Sequence, residues 1–429
     1  MAAVFASRGM HVLGYDLDPR PVEALRAGRA PVQEPGLADM IATHSPRIDA
    51  TTDPARAVHE TDITFIVVPT PSEESGRFSL VHATSALETL GAALRSKSSY
   101  HLFVLTSTVL PGACRESLIP TLERASGRVC GRDFGFCYHP EFVALGTVLR
   151  DFLRPALHLA GQFDVRSGDV LEPVLRAVAG PDVPLRRMRL EEAELAKVAL
   201  NSFVTLKISF ANLLGEFCQR IPGTDVDAVS AAIGFDPRVG TRFLSAGASF
   251  GGPCFPRDNV ALAELGRSLG VDCGIFVANT DYNRALTARQ AAWALECIPS
   301  GARIAVLGLA YKPLSNLVEE APGIHLCHEF LRAGHAVFGH DPIASADARR
   351  VLPSGVQVCE HLDDALAQAD ALVVATPDPA FRALTPERLA ALRSNQARPL
   401  SIVDLWRVLD PAVSDVPGVA YAAFGRNPA

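Results

Sequence analysis

Cys254 stands in the run Gly251-Gly252-Pro253-Cys254-Phe255-Pro256-Arg257-Asp258, a setting that displays and positions a thiol. Two glycines permit a bend or a close backbone approach that bulkier residues would strain. Pro256 restricts the backbone just beyond the cysteine. Arg257 and Asp258 follow at once, and both can tune a thiolate. A cysteine with a lowered pKa and a general base nearby is a nucleophile. The plainer alternative is a buried structural cysteine in a turn. Lys197 and Asn201 are a second candidate pair. At i,i+4 they share one helix face, and their stretch is otherwise so apolar that each needs a partner or water. The plainer alternative for both is that they reach solvent. Asp16 is a third candidate. It closes the apolar run His11-Val12-Leu13-Gly14-Tyr15, and an acid at the end of the second strand of a dinucleotide fold takes the ribose hydroxyls. A carboxylate there repels a 2′-phosphate, so NAD is expected over NADP.

These residues need elements to hold them. Residues 1–9 read as a short helix stopped by Gly9, followed by a strand over 11–16. Together they form the second half of a βαβ dinucleotide unit. The first strand and its GxGxxG turn are absent from the sequence, and a further segment of roughly 10–15 residues, one short strand and its turn, is expected upstream. Buried-strand runs follow at 63–68, 101–105, 134–138 and 156–161, and 80–95 reads as helix. Polar residues sit just past these strands: Pro69-Thr70, Ser107-Thr108 and His139-Pro140-Glu141-Phe142. The carboxyl ends of strands are where an open α/β sheet builds its crevice. Taken alone, Glu141 reads as a surface carboxylate. From Leu190 to Ile221 an apolar-periodic stretch predicts one long helix able to carry a dimer interface. Shorter helices are expected at 225–233, 259–269 and 279–296. A second α/β domain starts at Arg303, and its run Val337-Phe338-Gly339-His340-Asp341 repeats the Val12-to-Asp16 arrangement. The expected fold class is α/β, with two Rossmann-like domains, 1–185 and 299–429, around a helical central domain at 186–298.

The gross numbers narrow the function. A chain of 429 residues is too long for one ordinary core. A net charge of −7 without long basic runs argues against nucleic acid. Nine scattered cysteines suit neither a disulfide framework nor CxxC zinc sites, so no metal is expected. A working thiol suits a reducing compartment. No uninterrupted apolar run reaches the roughly 18 residues of a membrane span, and no signal-peptide pattern opens the sequence. Cytoplasm is the expectation.

With Thr108, Glu141, Lys197, Asn201, Cys254 and Asp258 located, the chain resembles the UDP-glucose/GDP-mannose dehydrogenase family over nearly its whole length. The resemblance is carried by Glu34-Pro35-Gly36-Leu37, Ser107-Thr108-Val109, Pro140-Glu141-Phe142, Glu194-Leu195-Ala196-Lys197 with Asn201, the Cys254 run, and Leu307-Gly308-Leu309-Ala310-Tyr311-Lys312. It implies a four-electron, NAD-dependent oxidation of a sugar 6-hydroxymethyl to a carboxylate, with Cys254 forming a thiohemiacetal and then a thioester. It further implies that Lys197 and Asn201 stabilise charge on the C6 oxygen and that Asp258 and Thr108 position the hydrolytic water. Glu141 assists hydrolysis as a base, with Asp258 open to a share of that role. Asp16, Pro69, Thr70, Ser107 and Thr108 fall to the cofactor. Phe142, Leu145, Lys197, Asn201, Phe250, Gly251 and Lys312 fall to the sugar nucleotide, and Arg238 matches an arginine that reaches across a homodimer. Three departures stand out: Leu145 where the family often has a glutamate, His139 for an asparagine, and Glu319 for an arginine. UDP-glucose is the default substrate, with UDP-N-acetylhexosamines and GDP-mannose as alternatives. The competing reading is a dimeric homologue that binds the nucleotide sugar but has lost or changed its redox role. A purely structural protein would have no use for the Cys254 constellation.

Overall fold

The computed structural model of the chain describes residues 1–32, 34–143, 146–393 and 398–427. Two compact units emerge, Met1–Ala199 and Leu200–Ala429.

The first unit holds β1 (Val12–Tyr15), β2 (Ile48–Thr51), β3 (Ile63–Ile66), β4 (Leu102–Leu105), β5 (Gly135–Tyr138), β6 (His158–Gln162) and β7 (Leu185–Arg189). β4 and β5 are buried at every position, as expected of strands covered on both faces. The strands form two sheets, a parallel β1-β2 pair and a five-stranded sheet in the order β3-β4-β5-β6-β7, in which β6 runs antiparallel to β5. β1 and β3 each have one unpaired edge among the described residues, and they are less buried than β4 and β5. The helix Ala2–Ser7 places Phe5 against Phe65 of β3, ring centroids 4.9 Å apart.

The second unit adds β8 (Thr224–Asp225), β9 (Ile304–Leu307), β10 (Val337–His340), β11 (Val356–Cys359), β12 (Ala371–Val374), β13 (Leu400–Asp404), β14 (Val419–Ala423) and β15 (Arg426–Asn427). Its main sheet is wholly parallel, in the order β11-β10-β9-β12-β13-β14. That is a doubly wound sheet with its switch point between β9 and β12. Helices Val226–Gly234, Phe255–Leu269 and Gly274–Cys297 supply the helical part. The expected helix at 259–269 starts earlier, because Pro256 lies in its first turn, where a missing N–H costs nothing. Cys254 therefore falls immediately before the first residue of the helix.

The predicted long helix runs unbroken from Leu190 to Cys218, 29 residues. By length and composition it could cross a membrane, a feature that a search for uninterrupted apolar runs misses. Its buried polar groups are tied to protein. In the first unit, Glu194 accepts from the backbone N–H groups of Gly112 (2.7 Å) and Cys114 (2.8 Å). In the second, Asn212 accepts from Gly247 N–H at 2.7 Å.

Candidate active site

The expected catalytic residues are distributed over both units. In the first unit, Lys197 is buried on the long helix and its Nζ donates to the backbone carbonyl of Glu141 at 2.7 Å. The same ammonium lies 4.4 Å from the centroid of the Phe142 ring. Lys197 thus ties the helix to the Pro140-Glu141-Phe142 segment that follows β5. Burial pushes the Glu141 carboxyl up to about 7, against the pull of the chain's amino terminus and of Lys197. Its Oε1 is buried without a hydrogen-bond partner among the described residues. A carboxyl poised near neutrality is suited to general-base work.

Just before it, His139 Nε2 lies 3.3 Å from His158 Nδ1, and burial holds His139 down to about 3. This pair is a neutral buried contact. Glu34 from the Glu-Pro-Gly-Leu motif accepts from Gly146 N–H (2.9 Å) and Val148 N–H (2.7 Å), closing the loop beyond Phe142. Leu145, expected in the sugar pocket, lies outside the described residues.

The strand ends are braced by side chains expected at the cofactor. Ser107 Oγ donates to Val68 O at 2.6 Å and accepts from Val68 N–H at 2.9 Å. Thr70 Oγ1 donates to Thr108 O at 2.8 Å, and Pro69 is exposed. Asp16 is exposed just past β1, with Oδ1 accepting from Asp18 N–H at 2.9 Å. The equivalent acid in the second unit differs. Buried Asp341 accepts four backbone N–H groups, from Leu309, Ala310, Ile343 and Ala344. Of the two acids ending a second strand, Asp341 has no capacity left for ribose hydroxyls, whereas Asp16 does. The residues present in the first unit therefore fit the ribose end of NAD. The glycine turn that would take the pyrophosphate is not in the sequence.

In the second unit, Cys254 is exposed at the start of the helix Phe255–Leu269. One turn on, Asp258 is 1% exposed and accepts from Asn201 Nδ2 at 2.6 Å. Two glycines shape the turn. Gly252 has φ +84°, and a Cβ there would stand 2.4 Å from Cδ2 of Tyr311. A Cβ on Gly251 would stand 1.9 Å from the carbonyl oxygen of Glu320. Gly252 N–H donates to Glu319 O at 3.0 Å. At Glu319, the position of charge reversal, it is thus the backbone that supports the cysteine turn, and the side chain is exposed. Phe250 packs edge-on to Phe255, centroids 6.3 Å apart. Lys312 Nζ is 5.7 Å from the Tyr311 ring centroid. Arg238 is 88% exposed at its side chain and pairs with Asp236 at 2.5 Å.

Sequence reasoning missed a set of buried amides in this unit. Asn259 and Asn279 both bond the Thr205 hydroxyl, at 3.0 and 2.9 Å. Asn283 and Gln290 bond the backbone just before Gly251. The available signal was polar residues recurring at helical spacing, 279, 283, 287 and 290, along one helix.

A switch-point α/β sheet and a strand-end acid with room for ribose hydroxyls are features of a nucleotide-binding enzyme, and Cys254 is an exposed thiol at a helix start. Profiles of the UDP-glucose/GDP-mannose dehydrogenase family match the chain in three places: its NAD binding domain over 1–178, its central domain over 191–285, and its UDP binding domain over 305–411. The chain belongs to this family and is an NAD-dependent nucleotide-sugar 6-dehydrogenase. UDP-glucose 6-dehydrogenase AglM of Haloferax volcanii is 36% identical over 393 residues, 90% of each chain. GDP-mannose 6-dehydrogenase of Pseudomonas aeruginosa is 29% identical over 89% of each. A solved UDP-glucose dehydrogenase from Pyrobaculum islandicum superposes with a TM-score of 0.86 at 34% identity, covering 99% of this chain and 94% of that one.

Proposed function

We propose that this protein oxidises the C6 hydroxymethyl of UDP-glucose to the carboxylate in two successive oxidations, the second through a covalent adduct on Cys254. The observation that carries this reading is the thiol itself. It is exposed at a helix start, one turn ahead of a buried Asp258 held by Asn201. An aldehyde is a poor hydride donor until a nucleophile makes it tetrahedral. Cys254 Sγ adds to the C6 aldehyde carbon, the carbonyl oxygen gains a proton, and a thiohemiacetal forms. Loss of the C6 hydride and the hydroxyl proton leaves a thioester. Water then breaks the C–S bond, freeing the carboxylate and restoring the thiol. Bound NAD supplies the hydride acceptor for both oxidations. Lys197 and Asn201, on one face of the long helix, steady the charge on the C6 oxygen. Thr108 and Asp258 orient the water, and Glu141 takes its proton, with Asp258 able to share that role.

Asp16, Pro69, Thr70, Ser107 and Thr108 hold the cofactor. Phe142, Leu145, Phe250, Gly251 and Lys312 line the sugar nucleotide in this reading, alongside Lys197 and Asn201. The choice of UDP-glucose rests on the 36% and 34% identical proteins named for it. The functional division is 1–185, 186–298 and 299–429. A homodimer is the working assembly, supported by an exposed apolar stripe on the long helix, Phe203, Phe210 and Phe217, with Arg238 offered to the partner. Nine cysteines, with no disulfide among the described residues, favour a reducing compartment such as the cytoplasm. The test is NADH formation with a panel of nucleotide sugars. Two NADH per UDP-glucose is expected. Tight sugar binding without NADH, or two NADH only with GDP-mannose or a UDP-N-acetylhexosamine, would overturn the assignment.

A further inference from the structure

The helix Gly274–Cys297 buries a polar stripe beside the apolar Leu286, Ala291 and Ala294. Asn279, Asn283, Thr287 and Gln290 recur at helical spacing and are at most 7% exposed. Buried amides are costly unless bonded, and these bonds converge on one stretch of backbone. Asn283 clamps Phe250 on both sides: Oδ1 accepts Phe250 N–H at 2.8 Å and Nδ2 donates to Phe250 O at 2.9 Å. Thr287 Oγ1 meets Ser249 Oγ at 2.8 Å. Gln290 Nε2 donates to Gly247 O at 2.7 Å, while Asn212 from the long helix accepts Gly247 N–H at 2.7 Å. The fourth member works on the other flank. Asn279 donates to Thr205, and Thr205 also bonds Asn259, the residue after Asp258. The stripe therefore holds the chain directly four residues before Cys254 and, by way of Thr205, five residues after it.

We propose that this stripe, with Asn283 at its centre, is the positioning frame of the Cys254 nucleophile. Asn283 treats Phe250 as a neighbouring strand would, satisfying both its backbone groups. The Gly251-Gly252 turn that follows then starts from a fixed point, and so does the sulfur. Asn283 touches neither sugar nor cofactor in this account; it acts through Phe250. The inference rests on the reading of Cys254 as the nucleophile.

The test compares wild type with Asn283→Leu, Asn283→Asp and Cys254→Ser. Oxidation of the sugar C6 aldehyde and the alkylation rate of Cys254 by iodoacetamide are followed across pH. Asn283→Leu removes both bonds and should slow aldehyde oxidation on the order of 100-fold, the effect of misplacing a reacting group by about 1 Å, with Cys254 alkylation changed as well. Asn283→Asp gives the sharper readout. A buried carboxyl titrates above its ordinary range. Protonated, it offers an acceptor and a donor as the amide does; ionised, it cannot donate to Phe250 O. Its activity relative to wild type should therefore be restored at low pH and lost as pH rises. If Asn283→Leu does not fold, this profile alone decides. Wild-type rates in Asn283→Leu, or an Asn283→Asp profile parallel to wild type, would overturn the frame. Full aldehyde oxidation by Cys254→Ser would instead remove the nucleophile reading on which the frame stands.

Discussion

At the scale of single residues, chemistry follows from environment. Glu141 and Asp258 are both carboxyls, yet among the described residues only Asp258 has a side-chain amide donor, Asn201, at 2.6 Å. Glu141 is half-buried, and the ammonium of Lys197 donates to its backbone carbonyl. Its carboxyl, raised to about 7 by burial, is half ionised near neutrality. If it is the base, the hydrolytic step gains rate as pH rises through about 7, and Glu141→Gln flattens that limb and leaves acyl-enzyme to accumulate, visible by intact mass. An unchanged limb in Glu141→Gln would assign the base elsewhere. The linked stability effect has the opposite sign. A carboxyl whose folded pKa is raised binds its proton more tightly when folded, so its contribution declines as pH climbs from the ordinary carboxyl range to about 7. Asp16, exposed at the end of β1, predicts preference for NAD; kcat/KM with NADP should be well below that with NAD, and Asp16→Ser should narrow the gap. Equal use of both cofactors by the wild type would refute this role.

At the scale of elements, the Cys254 turn is held by contacts from behind. Gly252 needs positive φ and leaves no room for a methyl group beside Tyr311. Gly252→Ala should lose about 1–2 kcal/mol from the left-handed backbone alone, and more from the ring contact. Urea unfolding of the variant measures this, and wild-type stability would mean the turn is not held as described. Much of this was legible: the glycines, Pro256 and the cysteine lie together in sequence, so their local geometry could be reasoned directly. The start of the helix at Phe255 was not, because Pro256 reads as a boundary unless its tolerance in a first turn decides. The amide stripe was missed for a different reason. Asn283 and Phe250 are 33 residues apart, and nothing local distinguishes an amide that meets backbone from one that meets water.

At the scale of the whole molecule, the repeated strand-then-acid pattern at Asp16 and Asp341 pointed to two α/β units. Their hydrogen bonding separates their roles. Short strands such as Ile48–Thr51 and Val419–Ala423 escaped notice, since four or five residues containing Asp or several Ala carry little periodic signal and owe their form to their partners. The long helix leaves Phe203, Phe210 and Phe217 60%, 48% and 54% exposed at seven-residue spacing, which keeps them on one face. Such a stripe marks an interaction surface, and in the proposed homodimer it would lie at the subunit interface. Phe210→Glu should turn a dimer into a monomer at micromolar concentration by sedimentation, whereas an unchanged mass would place the interface elsewhere.

The central claim is that Cys254 carries the sugar through the second oxidation, and Cys254→Ser tests it most directly. A hydroxyl is a far weaker nucleophile than a thiolate at neutral pH. With the nucleotide-sugar aldehyde and NAD supplied, the variant should bind sugar within a few-fold of wild type and form no uronate. Uronate formed by Cys254→Ser at the wild-type rate would contradict the covalent mechanism.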